Sequence, residues 1–159
     1  MTAEEFVRSL AADPEYRARM AALEASTDEL GRACAGDEAV LLEALRTVGA
    51  KVSSVYDFVN ADGAPPIAIP ILLAHLRLQR HPRIWEGIVR SLSVKHAHAA
   101  ALPTLVELYS VEQDRDRRWV LANAIGSMAK FAEVAHLDGI DEYRPLFRQS
   151  RKRSSRPSA

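Results

Sequence analysis

One phrase occurs nearly twice between residues 67 and 130, and it constrains the fold more than any other feature of the sequence. Pro70 is followed by Pro103 after 33 residues, and Trp85 is followed by Trp119 after 34. Each copy contains apolar residues three or four positions apart, which is the spacing of one face of an α-helix. A nearly constant period of this size is typical of stacked pairs of helices. The sequence therefore predicts a helical repeat.

The composition also favours a single all-helical domain. The chain has 159 residues, of which 48% are hydrophobic, 26% are charged and only seven are glycine. This length suits one domain with a buried core, and no alternating runs of Val, Ile and Thr indicate strands. Cys34 is the only cysteine, which favours a reducing compartment. Without a secretory signal or a long apolar segment, we predict a cytoplasmic protein with no membrane partner.

Charge is unevenly distributed, although the net charge of the chain is zero. Residues 1–63 carry a net charge of −6, residues 64–148 carry +2, and the last eleven residues carry +4. An acidic front and a basic tail indicate electrostatic polarity, but they do not identify a partner.

The chain before the repeats is predicted to form N-terminal capping helices in residues 1–36. Residues 2–5 have the pattern of a capping box and open a short helix. The Asp13-Pro14 dipeptide starts a longer one, and Gly36-Asp37 is predicted to end it and start the next. The narrow apolar face of this longer helix either covers a neighbouring helix pair or pairs with another chain. Its apolar positions are Tyr16, Met20, Leu23, Thr27, Leu30 and Cys34.

Residues 37–148 are predicted to contain the helical repeats. Leu41 and Leu45 have the spacing of Leu72 and Leu76, which indicates a degenerate first copy. The clear copies are predicted to be helices over about 66–78, from Pro82 to Leu92, over 100–109 and over 117–130, followed by a closing helix over 140–147. Residues 149–159 are rich in Ser, Arg and Pro and are predicted to be a disordered basic tail.

The second copy resembles a HEAT repeat of the short bacterial kind. The resemblance lies in Leu-Pro-x-Leu-Val-x-Leu at 102–108 and Arg-Arg-Trp-Val-Leu-Ala-Asn-Ala-Ile-Gly at 117–126. Residues 69–92 resemble the preceding copy, and residues 55–60 resemble the same segment of small bacterial HEAT-repeat proteins, largely of unassigned function. The resemblance covers 65–130, and it implies an armadillo-like α-α superhelix, or solenoid, that presents a surface to a protein partner. Fold alone does not specify function.

We therefore predict a non-catalytic scaffold or adaptor that binds protein and needs no cofactor. The two tryptophans occupy equivalent repeat positions, so they are expected on equivalent faces, either packed between repeats or partly exposed as anchors. The sequence does not specify the oligomeric state. The candidate partner-binding residues are Trp85, Trp119, Arg83, Arg117, Tyr56 and Asn60.

Two other functions remain as alternatives. Six arginines near the intra-repeat turns would form a ridge that tracks nucleic-acid phosphates, although nearby acids dilute it. They are Arg77, Arg80, Arg83, Arg115, Arg117 and Arg118. The more distant alternative is a metal-dependent enzyme. The deoxyhypusine hydroxylases that this repeat resembles use paired His-Glu dipeptides, and this chain has none. His75, His81, His96 and His98 are left without an obvious ligand set, so we predict no metal site and no catalytic residue.

Overall fold

A computed structural model describes residues 12–78 and 80–147 of the chain, together with Thr2. Every regular element in these ranges is helical, which confirms the all-α class. The chain divides into two compact units, Met1–Gly36 and Asp37–Ala159. The helix predicted to follow residues 2–5 and the predicted tail after residue 148 lie outside the described residues.

The first element, α1, is a single helix of 34 residues over Pro14–Thr47. It begins as predicted, since the Asp13 carboxylate accepts a hydrogen bond from the Glu15 N–H at 2.9 Å. The predicted break at Gly36-Asp37 is wrong. A lone glycine in a helix costs only about 1 kcal/mol relative to alanine, which the helix-forming residues on both sides offset. The helix ends instead before Gly49, whose φ of 83° is the left-handed conformation of a helix stop.

The second unit contains six further α-helices in the part of the chain that the structure describes. They are α2 (Tyr56–Asn60), α3 (Ile69–Leu76), α4 (Pro82–Ser91), α5 (His98–Val111), α6 (Arg115–Met128) and α7 (Phe131–Val134). Single 3₁₀ turns over Pro66–Ala68 and Lys95–Ala97 lead into α3 and α5, and a third covers Ile140–Tyr143.

Local sequence signals set the starts of α4 and α6. Pro82 is the first residue of α4, as predicted, and the His81 ring nitrogen Nδ1 accepts a hydrogen bond from the Arg83 N–H at 3.2 Å. Asp114 caps α6 by accepting a hydrogen bond from the Arg117 N–H at 2.9 Å. These acceptors satisfy backbone donors that have no partner inside the helix.

The helices of the second unit pack as neighbours in two rows. Helix α3 contacts α4 and α5, whereas α4 contacts α2 and α6, and α5 and α6 contact each other. Three buried positions, Ala68, Leu72 and Leu76, recur 33 residues later as Ala101, Leu105 and Tyr109. The period between Pro70 and Pro103 therefore describes the true equivalence of the first helices.

The second helices have a different offset, because α6 contains four more residues than α4, 14 against 10. The buried residues Ile84, Trp85 and Ile88 correspond to Leu121, Ala122 and Ile125, an offset of 37. The extra length is an exposed first turn in α6, one helical turn long. The 34-residue step between the tryptophans therefore does not join equivalent positions.

The prediction that Trp85 and Trp119 lie on equivalent faces is wrong for this reason. Trp85 is buried at 4% exposure, whereas Trp119 is 43% exposed. Ala122 takes the buried place that corresponds to Trp85. One further prediction fails in the same way: Val40, expected beside Leu41 in a buried stripe of α1, is 59% exposed.

Candidate functional site

An open groove with a volume of about 660 Å³ lies in the second unit, where the chain turns from α3 to α4. Its walls come from the end of α3, the turn, the first part of α4, and single residues of α1, α5 and α6. We call it the turn-edge groove. It is lined by Asp37, Leu76, Arg77, Leu78, Arg80, His81, Trp85, Leu108 and Arg117.

One side of the groove is a buried ion pair between Arg80 and Asp37. The Arg80 Nη1 donates to the Asp37 carboxylate at 2.7 Å and to the Asp37 carbonyl at 3.1 Å. The Arg80 Nη2 lies 2.7 Å from His75 Nδ1, and the His81 N–H donates to the second Asp37 carboxylate oxygen. Only 6% of the Arg80 side chain is exposed. The network fixes the α3–α4 turn against residues 37–47 of α1.

The network shifts the protonation of two of its members. Burial raises the pKa of the Asp37 carboxyl, but hydrogen bonds from the His81 N–H and the Arg80 guanidinium outweigh it and hold that pKa below 3.8. Burial and the Arg80 charge lower the pKa of His75 below 6.5, against the opposing effect of Asp37. A neutral His75 can accept the Arg80 hydrogen bond, whereas a protonated ring cannot.

These shifts predict that acid destabilises the second unit in two steps. Both groups have a folded-state pKa below the unfolded value, so the unfolded chain binds more protons as the pH falls. The stability due to His75 is present above pH 6.5 and is lost below it, and that due to Asp37 is present above pH 3.8 and lost below it. Urea unfolding on both sides of pH 6.5 checks the first step. His75→Gln should flatten this pH dependence, and an unchanged slope in that variant would contradict the assignment.

The floor of the groove is the indole of Trp85, covered by Arg117. The Arg117 guanidinium carbon lies 4.1 Å from the centre of a Trp85 ring, a cation–π distance. The Arg117 Nε is 3.2 Å from the Glu112 carboxylate, which holds the guanidinium in place. Structure thus brings together two of the predicted partner-binding residues, although Trp85 itself is buried.

Tyr56 and Arg83 form a second pair away from the lining of the groove. The Tyr56 hydroxyl donates to the Arg83 carbonyl at 3.0 Å, and the Arg83 guanidinium lies 5.0 Å from the Tyr56 ring centre. Trp119 and Asn60 are exposed and do not line the groove. Trp119 follows Arg117 by two residues, so it points about 200° around α6 from it. The six predicted residues therefore form two separate pairs and two isolated positions.

The six arginines of the proposed nucleic-acid ridge do not present a common row of unpaired charge. Arg80 is buried against Asp37, and Arg77 lies 2.8 Å from the Glu107 carboxylate. Arg117 is bound to Glu112, and Arg118 donates to the Asp138 carbonyl at 2.7 Å. Arg83 and Arg115 are exposed at the starts of α4 and α6. Carboxylates thus interrupt the ridge at the turn-edge groove itself.

The sequence analysis missed two exposed apolar side chains at the rim of this groove. Leu78 is 52% exposed and Val111 is 69% exposed. They are 33 residues apart, so they are equivalent positions of consecutive first helices, each two residues beyond the buried pair Leu76 and Tyr109. The signal was present in the 33-residue period, but exposure distinguishes these positions from core residues only in the structure.

The four histidines considered as metal ligands have separate surroundings. His96 Nε2 lies 2.8 Å from the Ala64 carbonyl, and His98 Nε2 lies 3.0 Å from the Glu133 carboxylate. His75 and His81 belong to the two sides of the Arg80 network. Within residues 12–78 and 80–147, no group of three or more His, Cys, Asp or Glu side chains is placed to hold a metal ion.

Comparison with known proteins identifies no relative. No protein-family model matches the sequence, and no curated protein or solved structure is significantly similar to it. Among the described helices, none combines the length and the apolar character needed to cross a bilayer.

Proposed function

We propose that the chain is a non-catalytic helical-repeat protein of the HEAT type that binds a protein partner at the turn-edge groove. The repeat assignment is supported by the 33-residue recurrence of buried positions in α3 and α5, and by the contacts of α3 with α5 and of α4 with α6. Consecutive hairpins packed in this order are how α-solenoids stack their repeats.

The observation that carries the proposal is the pair of exposed apolar side chains at the rim, Leu78 and Val111. They stand at matching heights beside a groove whose floor is the Trp85 ring. Apolar side chains around an aromatic floor, with charged groups at the margin, are the composition of a protein-binding surface. Arg77 and Arg117 are half exposed there, so they can hydrogen-bond a partner's carboxylate or carbonyl groups.

Site-specific crosslinking tests this proposal. A photoreactive side chain replaces Leu78 or Val111 in the full chain, which is then exposed to extract of the source organism. We expect both positions to capture the same partner, and we expect Leu78→Glu with Val111→Glu to abolish its binding. Ile67 provides a matched control, because it is 55% exposed at the opposite end of the same helix region. A partner captured equally at Ile67, or retained by the double glutamate variant, would place the binding surface elsewhere.

Nucleic-acid binding is the less favoured function, because carboxylates already neutralise the arginines at the groove. Phosphate binding would also weaken steeply as salt rises, so a mobility shift at two salt concentrations separates the two proposals.

A further inference from the structure

The apolar face of α1 is the second large feature that the groove does not account for. The described side chains of residues 12–33 are all exposed, including Tyr16 at 38%, Met20 at 37% and Leu23 at 57%. A helical segment of about 20 residues is only marginally stable alone in water. Packing of its apolar face against another element normally supplies the missing stability.

The spacing of that face is the heptad spacing of a coiled coil. Tyr16, Met20, Leu23, Thr27 and Leu30 are separated by steps of four, three, four and three residues. This makes Met20 and Thr27 a positions, and it makes Tyr16, Leu23 and Leu30 d positions. Thr27 suits the seam because its hydroxyl already donates to the Leu23 carbonyl at 2.8 Å, so burial would leave no unpaired donor.

A depression along this face has the outline of a coiled-coil hole. It has a volume of about 310 Å³ and is lined by Met20, Leu23, Glu24, Thr27 and Asp28. In a coiled coil, each apolar knob inserts between four residues of the facing helix. The four that receive a d residue in a parallel pair are the flanking a positions with the d and e positions between them. Met20, Leu23, Glu24 and Thr27 are those four, so the depression fits Leu23 of a second copy.

We infer that residues 16–30 of α1 pair with the same residues of a second copy as a parallel two-stranded coiled coil. Charges beside the seam favour this partner and this orientation. Arg19 and Glu24 flank the seam, and neither has an ion-pair partner among the described residues. In a parallel pair, Arg19 of each copy lies beside Glu24 of the other, which gives two attractive contacts by symmetry.

The antiparallel arrangement matches the sequence less well. Aligning Leu23 with Thr27 of the other copy places both Glu24 side chains at one level on the same flank, where they repel. That alignment also sets Tyr16 against Cys34, which is already buried in its own chain at 3% exposure. The other antiparallel alignment sets Leu30 against the Asp13 carboxylate. Only the parallel pair brings all five seam residues together.

Solution mass measurement of the full chain tests this inference. We expect light scattering or sedimentation to give about twice the chain mass of 17.6 kDa, decreasing toward one chain on dilution. Leu23→Glu should give a monomer at all concentrations used. Ala25→Glu makes the same charge change on the opposite side of the helix and should leave the dimer intact. Circular dichroism confirms that the second unit remains folded in both variants.

Two further variants test the orientation. Leu23→Cys should form a disulfide-linked dimer under mild oxidation, because d positions face each other in a parallel pair, whereas Ala25→Cys should not. Arg19→Glu should raise the dissociation constant about tenfold, and adding Glu24→Arg should restore it.

The inference has clear ways to fail. A monomer at every concentration would overturn it, and would mean that another segment or another protein covers this face. A dimer that tolerates Leu23→Glu would place the interface elsewhere. A dimer that never crosslinks through Leu23→Cys would exclude the parallel arrangement.

Discussion

Replacing Trp85 with alanine should lower the free energy of unfolding of the second unit by about 3–5 kcal/mol, the usual cost of truncating a buried tryptophan. Its indole is 4% exposed and contacts Arg117, so truncation leaves a cavity between α4 and α6 and removes the ring on which the guanidinium rests. A domain of this size has a total stability of about 5–15 kcal/mol, so the loss is a large share of it. Urea unfolding followed by circular dichroism measures the change.

Trp119→Ala is the matched control and should cost about 0.5 kcal/mol or less, because its ring is 43% exposed. The chain has two tryptophans, so each variant leaves one as a fluorescent reporter. The variant that retains Trp85 should emit at a shorter wavelength than the one that retains Trp119. Equal losses of stability in the two variants would mean that the tryptophans do occupy equivalent positions.

This contrast also decides which residues can test partner binding. A Trp85 variant that loses a partner would be hard to interpret, since unfolding produces the same loss. Leu78 and Val111 are exposed, and surface substitutions of this kind usually change stability by about 0.5 kcal/mol or less. Loss of binding at these two positions would therefore report on the surface itself.

Repetition of apolar residues was sufficient to predict the helices of the second unit, but not the register between them. The 33-residue step gave the correct equivalence of α3 and α5, because proline positions at a helix start are tied to its geometry. The two tryptophans gave a false equivalence for α4 and α6. One extra exposed turn moves the buried positions of α6 by four residues, and the sequence of that turn contains nothing that distinguishes it from the core-facing part.

Charge pairing shows the other limit of the sequence. Arg80 was grouped with exposed arginines near a turn, and Asp37 was taken as part of a helix start. The chain contains 21 basic and 21 acidic residues, so spacing alone cannot select this pair, whose members are 43 residues apart. Only the fold brings α1 beside the α3–α4 turn, and burial then makes that pair different from the rest. The heptad face of α1, by contrast, was visible in the sequence, because a single helix determines it.

Asp37→Ala should destabilise the second unit by about 3 kcal/mol, which is at the lower end of the cost of breaking a buried ion pair. The variant leaves the Arg80 guanidinium buried without its counter-charge, and it removes the acceptor for the His81 N–H. Only 6% of the Arg80 side chain is exposed, so water cannot replace the lost carboxylate without movement of the turn. Urea unfolding at neutral pH measures the loss.

Two comparisons separate this explanation from a simple loss of contacts. Glu107→Ala breaks the exposed pair with Arg77 and should cost about 1 kcal/mol or less, since both partners are more than half exposed. Asp37→Ala combined with Arg80→Leu should be more stable than Asp37→Ala alone, because the second change removes the unpaired charge. If the double variant is instead less stable than either single one, Arg80 contributes mainly through its packing and its bond to His75. The turn-edge groove would then depend on the Arg80 side chain itself rather than on its charge.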